Sequence, residues 1–322
     1  MMFLSVLATI GMALAQEPIG AERIAHDADK MRWLAQSNLS SEFLAASKGL
    51  KQEPVRVLYR HKTTREWLRE SKFDQLSAQD QASYIKNELD ADSFYQTKYG
   101  SPLTYLPCMN LLGKHGFGSM SGKKVLDFGY GMIGQLRIWA LMGANSVGVD
   151  VDPFLRELYS MPADQGKVGM GSVRLVHGFF PSDPAVAQSV GSAYDLFISK
   201  NTLKRGYIHP TREAPKAQLI DLGVTDEQFV MEVWNRLKPG GYALIYNISP
   251  PQNPLDKPYI PWADGETAFE RSIWEKHGFE VLAFDEKDDV TCLATFRALG
   301  YDSGPEPITK SVFTHYSLMR KR

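Results

Sequence analysis

Cysteine is nearly absent from this chain. Cys108 and Cys292 are its two thiols and lie far apart, so they form neither a zinc-ligand cluster nor a Cys-x-x-Cys redox motif. They read as two buried thiols or as one disulfide. No His, Asp and Glu cluster has metal-ligand spacing. An excess of one charge is also lacking. The 36 Lys and Arg against 37 Asp and Glu give a formal net charge of −1, and no basic stripe with interleaved aromatics marks a nucleic-acid binder. No apolar run is long enough for a stable membrane span, and no internal repeat is visible.

What is present starts with a leader. Residues 1–15 carry an apolar run from Phe3 that ends in Ala13-Leu14-Ala15, a small-x-small pattern suited to signal peptidase. No lysine or arginine precedes it. The run reads as a cleavable export signal, which makes the protein periplasmic or secreted. Alternatively it is a buried helix or a misassigned start, and the protein is then cytoplasmic. Asn38-Leu-Ser40 and Asn247-Ile-Ser249 fit the glycosylation pattern.

Residues 16–105 read as a helical N-terminal extension that packs on a neighbouring core. Ala21 to Leu34 has Ile24, Ala28, Met31 and Leu34 at helical spacing, and Ser77 to Leu89 opens with a serine cap. Val55 to Arg60 is ambiguous. From 106 to 322 the pattern alternates. Apolar strand-like runs occupy Val125–Phe128, Ser146–Asp152, Val173–Val176, Tyr194–Ser199, Tyr242–Asn247, Phe279–Phe284 and Val312–Met319, with helical patterns such as Gly134–Met142 and Asp226–Leu237 between them. Such alternation predicts an α/β fold, a doubly wound and mostly parallel seven-stranded sheet whose final strand is inserted antiparallel. The proline-rich stretch from Ser249 to Trp262 follows the fifth strand, at the sheet edge where ligands bind. It reads as a substrate-side loop or a rigid connector.

The stretch Val125-Leu-Asp-Phe-Gly-Tyr-Gly-Met-Ile-Gly134 has glycines in the spacing G-x-G-x-x-G, shared by dinucleotide sites. Asp127 stands two residues before the first glycine. A carboxylate beside a pyrophosphate is repulsive, by about 4 kcal/mol for unit charges ~4 Å apart at intermediate dielectric. A cationic ligand reverses that sign.

On these residues the chain resembles the Rossmann-like S-adenosylmethionine-dependent methyltransferases. Asp127-Phe-Gly129-Tyr-Gly131 matches their first motif, Val147-Gly-Val-Asp150-Val-Asp152 their ribose-binding strand end, and Leu237-Lys-Pro-Gly-Gly241 their late turn. The likeness covers Lys123 to Ile245. It implies S-adenosylmethionine as cofactor, held by Asp127, Gly129, Tyr130, Gly131, Asp150 (or Asp152) and Val151. The chain departs from the family after the third strand, where an acidic residue often meets the adenine: here Phe179 or Phe180 covers the ring instead, or both are ordinary core, and Asp183 is placed to reach back from its loop. It also implies methyl transfer by direct displacement to a small-molecule or protein acceptor. Asn201, Tyr207 and His209 are the candidate catalytic groups, and Lys200, Lys204 and Arg205 can bind an anionic substrate group. The aromatic stretch Tyr95 to Tyr105 is a candidate lid over the cofactor or ordinary packing. The Asn-Pro-Pro-Tyr signature of adenine- and glutamine-directed members is absent. Two readings compete: a nicotinamide-dependent oxidoreductase, and a non-catalytic scaffold. The scaffold draws support from the leader, because the cofactor is made in the cytosol.

Overall fold

The structure, a computed structural model, describes residues 18–302 and 312–322. The leader and its cleavage pattern lie outside the described residues. Three strands come first: β1 (Arg56–His61), β2 (Trp67–Arg69) and β3 (Tyr84–Leu89). Eight more follow: β4 (Lys124–Phe128), β5 (Asn145–Asp150), β6 (Gly166–Val168), β7 (Gly171–His177), β8 (Tyr194–Lys200), β9 (Leu237–Ser249), β10 (Phe279–Glu286) and β11 (Phe313–Lys321). The large sheet has the order β10-β11-β9-β8-β4-β5-β7-β6. Strands β7, β5, β4, β8 and β9 run parallel, while β11 pairs antiparallel with both β9 and β10. The expected antiparallel insertion of the last strand is therefore observed.

The sheet has eight strands rather than the expected seven. The extra one, β6, is an antiparallel edge hairpin on β7. Its two-residue turn is allowed by Gly169 at φ 59°, and three residues are too few to show periodicity.

Strand β8 explains why the sheet is doubly wound. All seven of its residues are buried, as a central parallel strand covered on both faces requires. Leu196 and Ile198 face one core, Phe197 the other. Helices Leu106–Lys114 and Gly134–Leu141 cover the first face, with the N-terminal helices Ala21–Lys30 and Asn38–Ser47 packed outside them. Helices Asp226–Arg236 and Arg271–Lys276 cover the second.

The N-terminal extension is not wholly helical. It carries a small antiparallel sheet, β2-β1-β3. Only Ala78–Gln81 of the stretch Ser77–Leu89 is helix, with Ser77 capping Asp80 N as expected; Tyr84–Leu89 pairs instead with β1, the ambiguous Val55–Arg60 segment. Pairing overrode weak helical periodicity in a stretch with few apolar residues. The extension shares one core with the sheet, since Ile24, Phe43 and Phe94 belong to the cluster that contains Leu196.

Buried charge ties the extension to the sheet domain. Asp164, fully buried, accepts from both terminal nitrogens of Arg56 at 2.6 and 2.7 Å and from Met161 N at 2.9 Å. Arg137, on the helix after the glycine loop, reaches Glu53 at 2.5 Å, and both guanidinium groups lie over the Phe94 ring. Removing one member leaves an uncompensated buried charge. Asp164→Ala should therefore cost roughly 3–5 kcal/mol in urea unfolding, whereas Lys86→Ala, which breaks the exposed pair with Glu88, should leave the midpoint unchanged.

Candidate cofactor and acceptor site

The site lies at the carboxyl ends of β4, β5 and β8, where a doubly wound sheet opens a crevice. It is a cavity of about 740 Å³. The three glycines have different jobs. Gly129 and Gly131 adopt φ 70° and 58°, a region that disfavours side chains. A Cβ on Gly129 would stand 2.2 Å from Thr202 Oγ1, and one on Gly131 2.8 Å from the Tyr99 ring. Gly134 begins the next helix against Pro102, where a Cβ would come within 2.8 Å.

Asp150 ends β5 and lines the cavity. Its Oδ2 accepts from Gly131 N at 3.1 Å and its Oδ1 from Asp152 N at 2.9 Å, so the carboxylate also fixes the glycine turn. Burial pushes its pKa up, against the lowering effect of these amides. Asp152 lines the rim but is spent as a cap, accepting from Phe154 N at 2.9 Å. Tyr130 and the exposed Val151 are also on the cavity wall.

Asp127 has no solvent exposure. Its Oδ2 accepts from Gln135 Nε2 at 2.9 Å and from the Tyr105 hydroxyl at 3.2 Å; its Oδ1 has no hydrogen-bond partner. Burial raises its pKa to about 7. It stands behind the cavity wall, whose surface here is formed by its neighbours Tyr105, Phe128, Gly129 and Lys200.

The adenine-side alternatives separate clearly. Phe179 is exposed on the cavity wall, whereas Phe180 also touches the cavity but is 3% exposed and packs with Phe128 in the core. Asp183 does not reach back. It caps helix Pro184–Val190 through Ala185 N and Val186 N, the ordinary use of an Asp before a helical proline.

On the opposite side, Asn201 and Tyr207 line the cavity. Asn201 adopts φ 66° and its Oδ1 accepts from Ile248 N at 2.6 Å, which locks the end of β8 to β9. Tyr207 is half-buried, and burial pushes its hydroxyl to about 12. His209 is a correction. It lies outside the cavity, exposed beyond the short helix Arg205–Ile208, with Nε2 2.9 Å from both Asp226 oxygens. Arg205 is likewise committed elsewhere, to Asp264 and Glu266.

Lys200 and Lys204 both line the cavity. The three tyrosines upstream divide: Tyr95 is core, Tyr99 lies over Gly131 on the cavity wall, and Tyr105 contributes to the floor. The proline-rich loop touches the cavity only through its ends, at Pro250 and Trp262. Sequence reasoning missed Thr202 and the Leu219–Leu222 wall, which carry no motif. Cys108 and Cys292 are free and buried. Asn247 is 1% exposed with its amide on Leu203 O, so that glycosylation pattern is inaccessible in the fold.

Asp127 gives a signed pH dependence. Its folded pKa lies above its unfolded value, from 3.8 to about 7. The stability it contributes is complete below the unfolded value and is lost as pH rises through the folded one. Asp127→Asn should therefore gain on the ligand-free wild type between about pH 4 and pH 8, by on the order of 4 kcal/mol. Paired urea titrations at the two ends of that range check it.

No protein-family profile and no curated protein sequence matches this chain. Similar solved structures are numerous and distant. A methyltransferase from Mesorhizobium loti, S-adenosylmethionine dependent, is 12% identical over 68% of this chain and 98% of its own, with a TM-score of 0.38. Magnesium protoporphyrin IX methyltransferase from Synechocystis, solved with bound SAH, is 12% identical over 69% and 84%, with a TM-score of 0.37. The [4+2]-cyclase SpnF is 14% identical over 94% and 96%, with a TM-score of 0.38. On its own strand order, the chain is a doubly wound Rossmann-like α/β protein with an antiparallel strand inserted beside β9.

Proposed function

We propose that this chain is an S-adenosylmethionine-dependent methyltransferase. The observation that carries the reading is Asp127: a fully buried carboxylate with one unpartnered oxygen, directly behind a glycine turn. Burying a charge without a partner is costly, and an ammonium group would satisfy it. The glycine turn offers close backbone approach, Asp150 offers a charge-assisted acceptor for ribose hydroxyls, and Val151 and Phe179 offer apolar surface to an adenine ring. These groups fit the cofactor that the motif implies.

When bound, that cofactor supplies an electrophilic methyl group on a sulfonium. The chain's own task is then to hold an acceptor in line with it and to keep water out. Tyr207, Leu219, Ile220 and Trp262 wall the acceptor side with mostly apolar surface. Asn201 is a positioning group, because its carbonyl is already used to lock β8 to β9.

A dinucleotide would also use Asp150, so that residue decides nothing between the two. Asp127 discriminates, because an anionic pyrophosphate gains nothing from it. Replacing either Asp127 or Asp150 by Ala should weaken S-adenosylhomocysteine binding at least about tenfold, measured by equilibrium dialysis on variants that unfold cooperatively. Unchanged affinity in both variants would refute the site.

A further inference from the structure

Two buried cations in this cavity are left unused by the cofactor assignment. Lys200, the last residue of β8, is 7% exposed and lines the cavity. Among the described residues no carboxylate stands within ion-pair distance of its ammonium and no hydrogen-bond acceptor meets it. The Tyr105 ring centroid lies 5.1 Å from it. The buried thiols of Cys108 and Cys292 and, less strongly, Asp127 act on it only through space; burial pushes both thiols up, so they bring no charge, and Asp127 Oδ2 is already taken by Tyr105 and Gln135.

Lys204 is 3% exposed on the same cavity. Its ammonium donates to the carbonyls of Ile248 and Trp262, which are dipoles and bring no counter-charge. Burial pulls both lysines down, Lys204 to about 7 with Lys200 adding to the effect. A buried ammonium without a counter-ion is destabilising. An oxyanion entering the cavity would supply the missing charge through short charge-assisted hydrogen bonds. The surrounding wall of Tyr207, Leu219, Ile220 and Trp262 suits a ligand whose remaining body is apolar.

Resting on the methyltransferase reading, we propose that the acceptor is an apolar organic molecule bearing an oxyanion, a carboxylate or a phenolate, which Lys200 receives with Lys204 beside it. The cofactor's own carboxylate is the other possible source of an oxyanion. Lys204 stands at the apolar wall, its ammonium 5.8 Å from the Tyr207 ring centroid and donating to the Trp262 carbonyl, and the experiment below separates the two sources.

The test uses the full chain saturated with S-adenosylhomocysteine, as wild type, Lys200→Met and Lys200→Gln. Benzoate and its neutral isostere benzamide are titrated by calorimetry, and 4-nitrophenol is followed by the visible absorbance of its phenolate. The proposal expects benzoate, or 4-nitrophenol in ionised form, to bind at least about tenfold more tightly than benzamide. Both variants should abolish that preference while keeping cofactor-product affinity, with a thermal midpoint no lower than that of the wild type. Benzoate alone would assign a carboxylate, and ionised 4-nitrophenol alone a phenolate. Three results would overturn the proposal: no probe binds better than benzamide, the variants keep the preference, or the variants instead lose S-adenosylhomocysteine affinity, which assigns Lys200 to the cofactor's carboxylate. If the wild type fails to bind S-adenosylhomocysteine at all, the methyltransferase reading falls. The benzoate–benzamide comparison on the free protein then still reads the lysines.

Discussion

A carboxylate sits buried where the sheet opens, and much of the surrounding architecture follows from keeping it there. Asp127 is held by Tyr105 from the helical extension and by Gln135 from the helix after the glycine loop. Both partners use the same oxygen and leave the other unmatched. Burial that raises the pKa to about 7 destabilises the ionised form in the free protein. Local arrangements that cost stability concentrate at functional sites. The N-terminal extension is thus part of the site rather than an ornament, since it supplies Tyr105 to the carboxylate and Tyr99 to the cavity wall. The buried Glu53–Arg137 and Arg56–Asp164 contacts hold it in place.

The cavity is electrostatically divided. Asp127 and Asp150 stand on the side of β4 and β5, Lys200 and Lys204 at the end of β8 and beyond. A ligand set that places cationic groups on the first side and an oxyanion on the second would neutralise both halves at once. A methyl sulfonium donor facing an organic oxyanion is such a set. Fold alone does not choose it, because a Rossmann-like sheet hosts many chemistries. The choice comes from charges whose partners are missing from the protein itself.

Much of this was legible in the sequence where one strong local constraint acts. Backbone turns that exclude side chains marked Gly129 and Gly131, and the apolar run Leu196–Ile198 of β8 and the order of strands foretold the doubly wound sheet. What was illegible depended on distant pairing or on fine orientation. Strands β1 and β3 form because they pair with each other, and β6 exists as an edge hairpin too short to show a pattern. His209 and Asp183 have site-like chemistry, yet one faces Asp226 and the other caps a helix. Two adjacent phenylalanines looked equivalent until the chain direction sent Phe180 to the core and Phe179 to the cavity. The burial of Lys200 and Lys204 was hidden too, because lysines after a strand ordinarily read as solvated.

The central claim is that the unmatched carboxylate awaits a cationic cofactor. Calorimetric titration of the ligand-free protein with S-adenosylhomocysteine, and in parallel with NADH, tests it most directly. The account predicts binding of the first in a roughly micromolar range and no heat from the second. Binding of NADH with none of S-adenosylhomocysteine would contradict it and make the chain a nicotinamide enzyme.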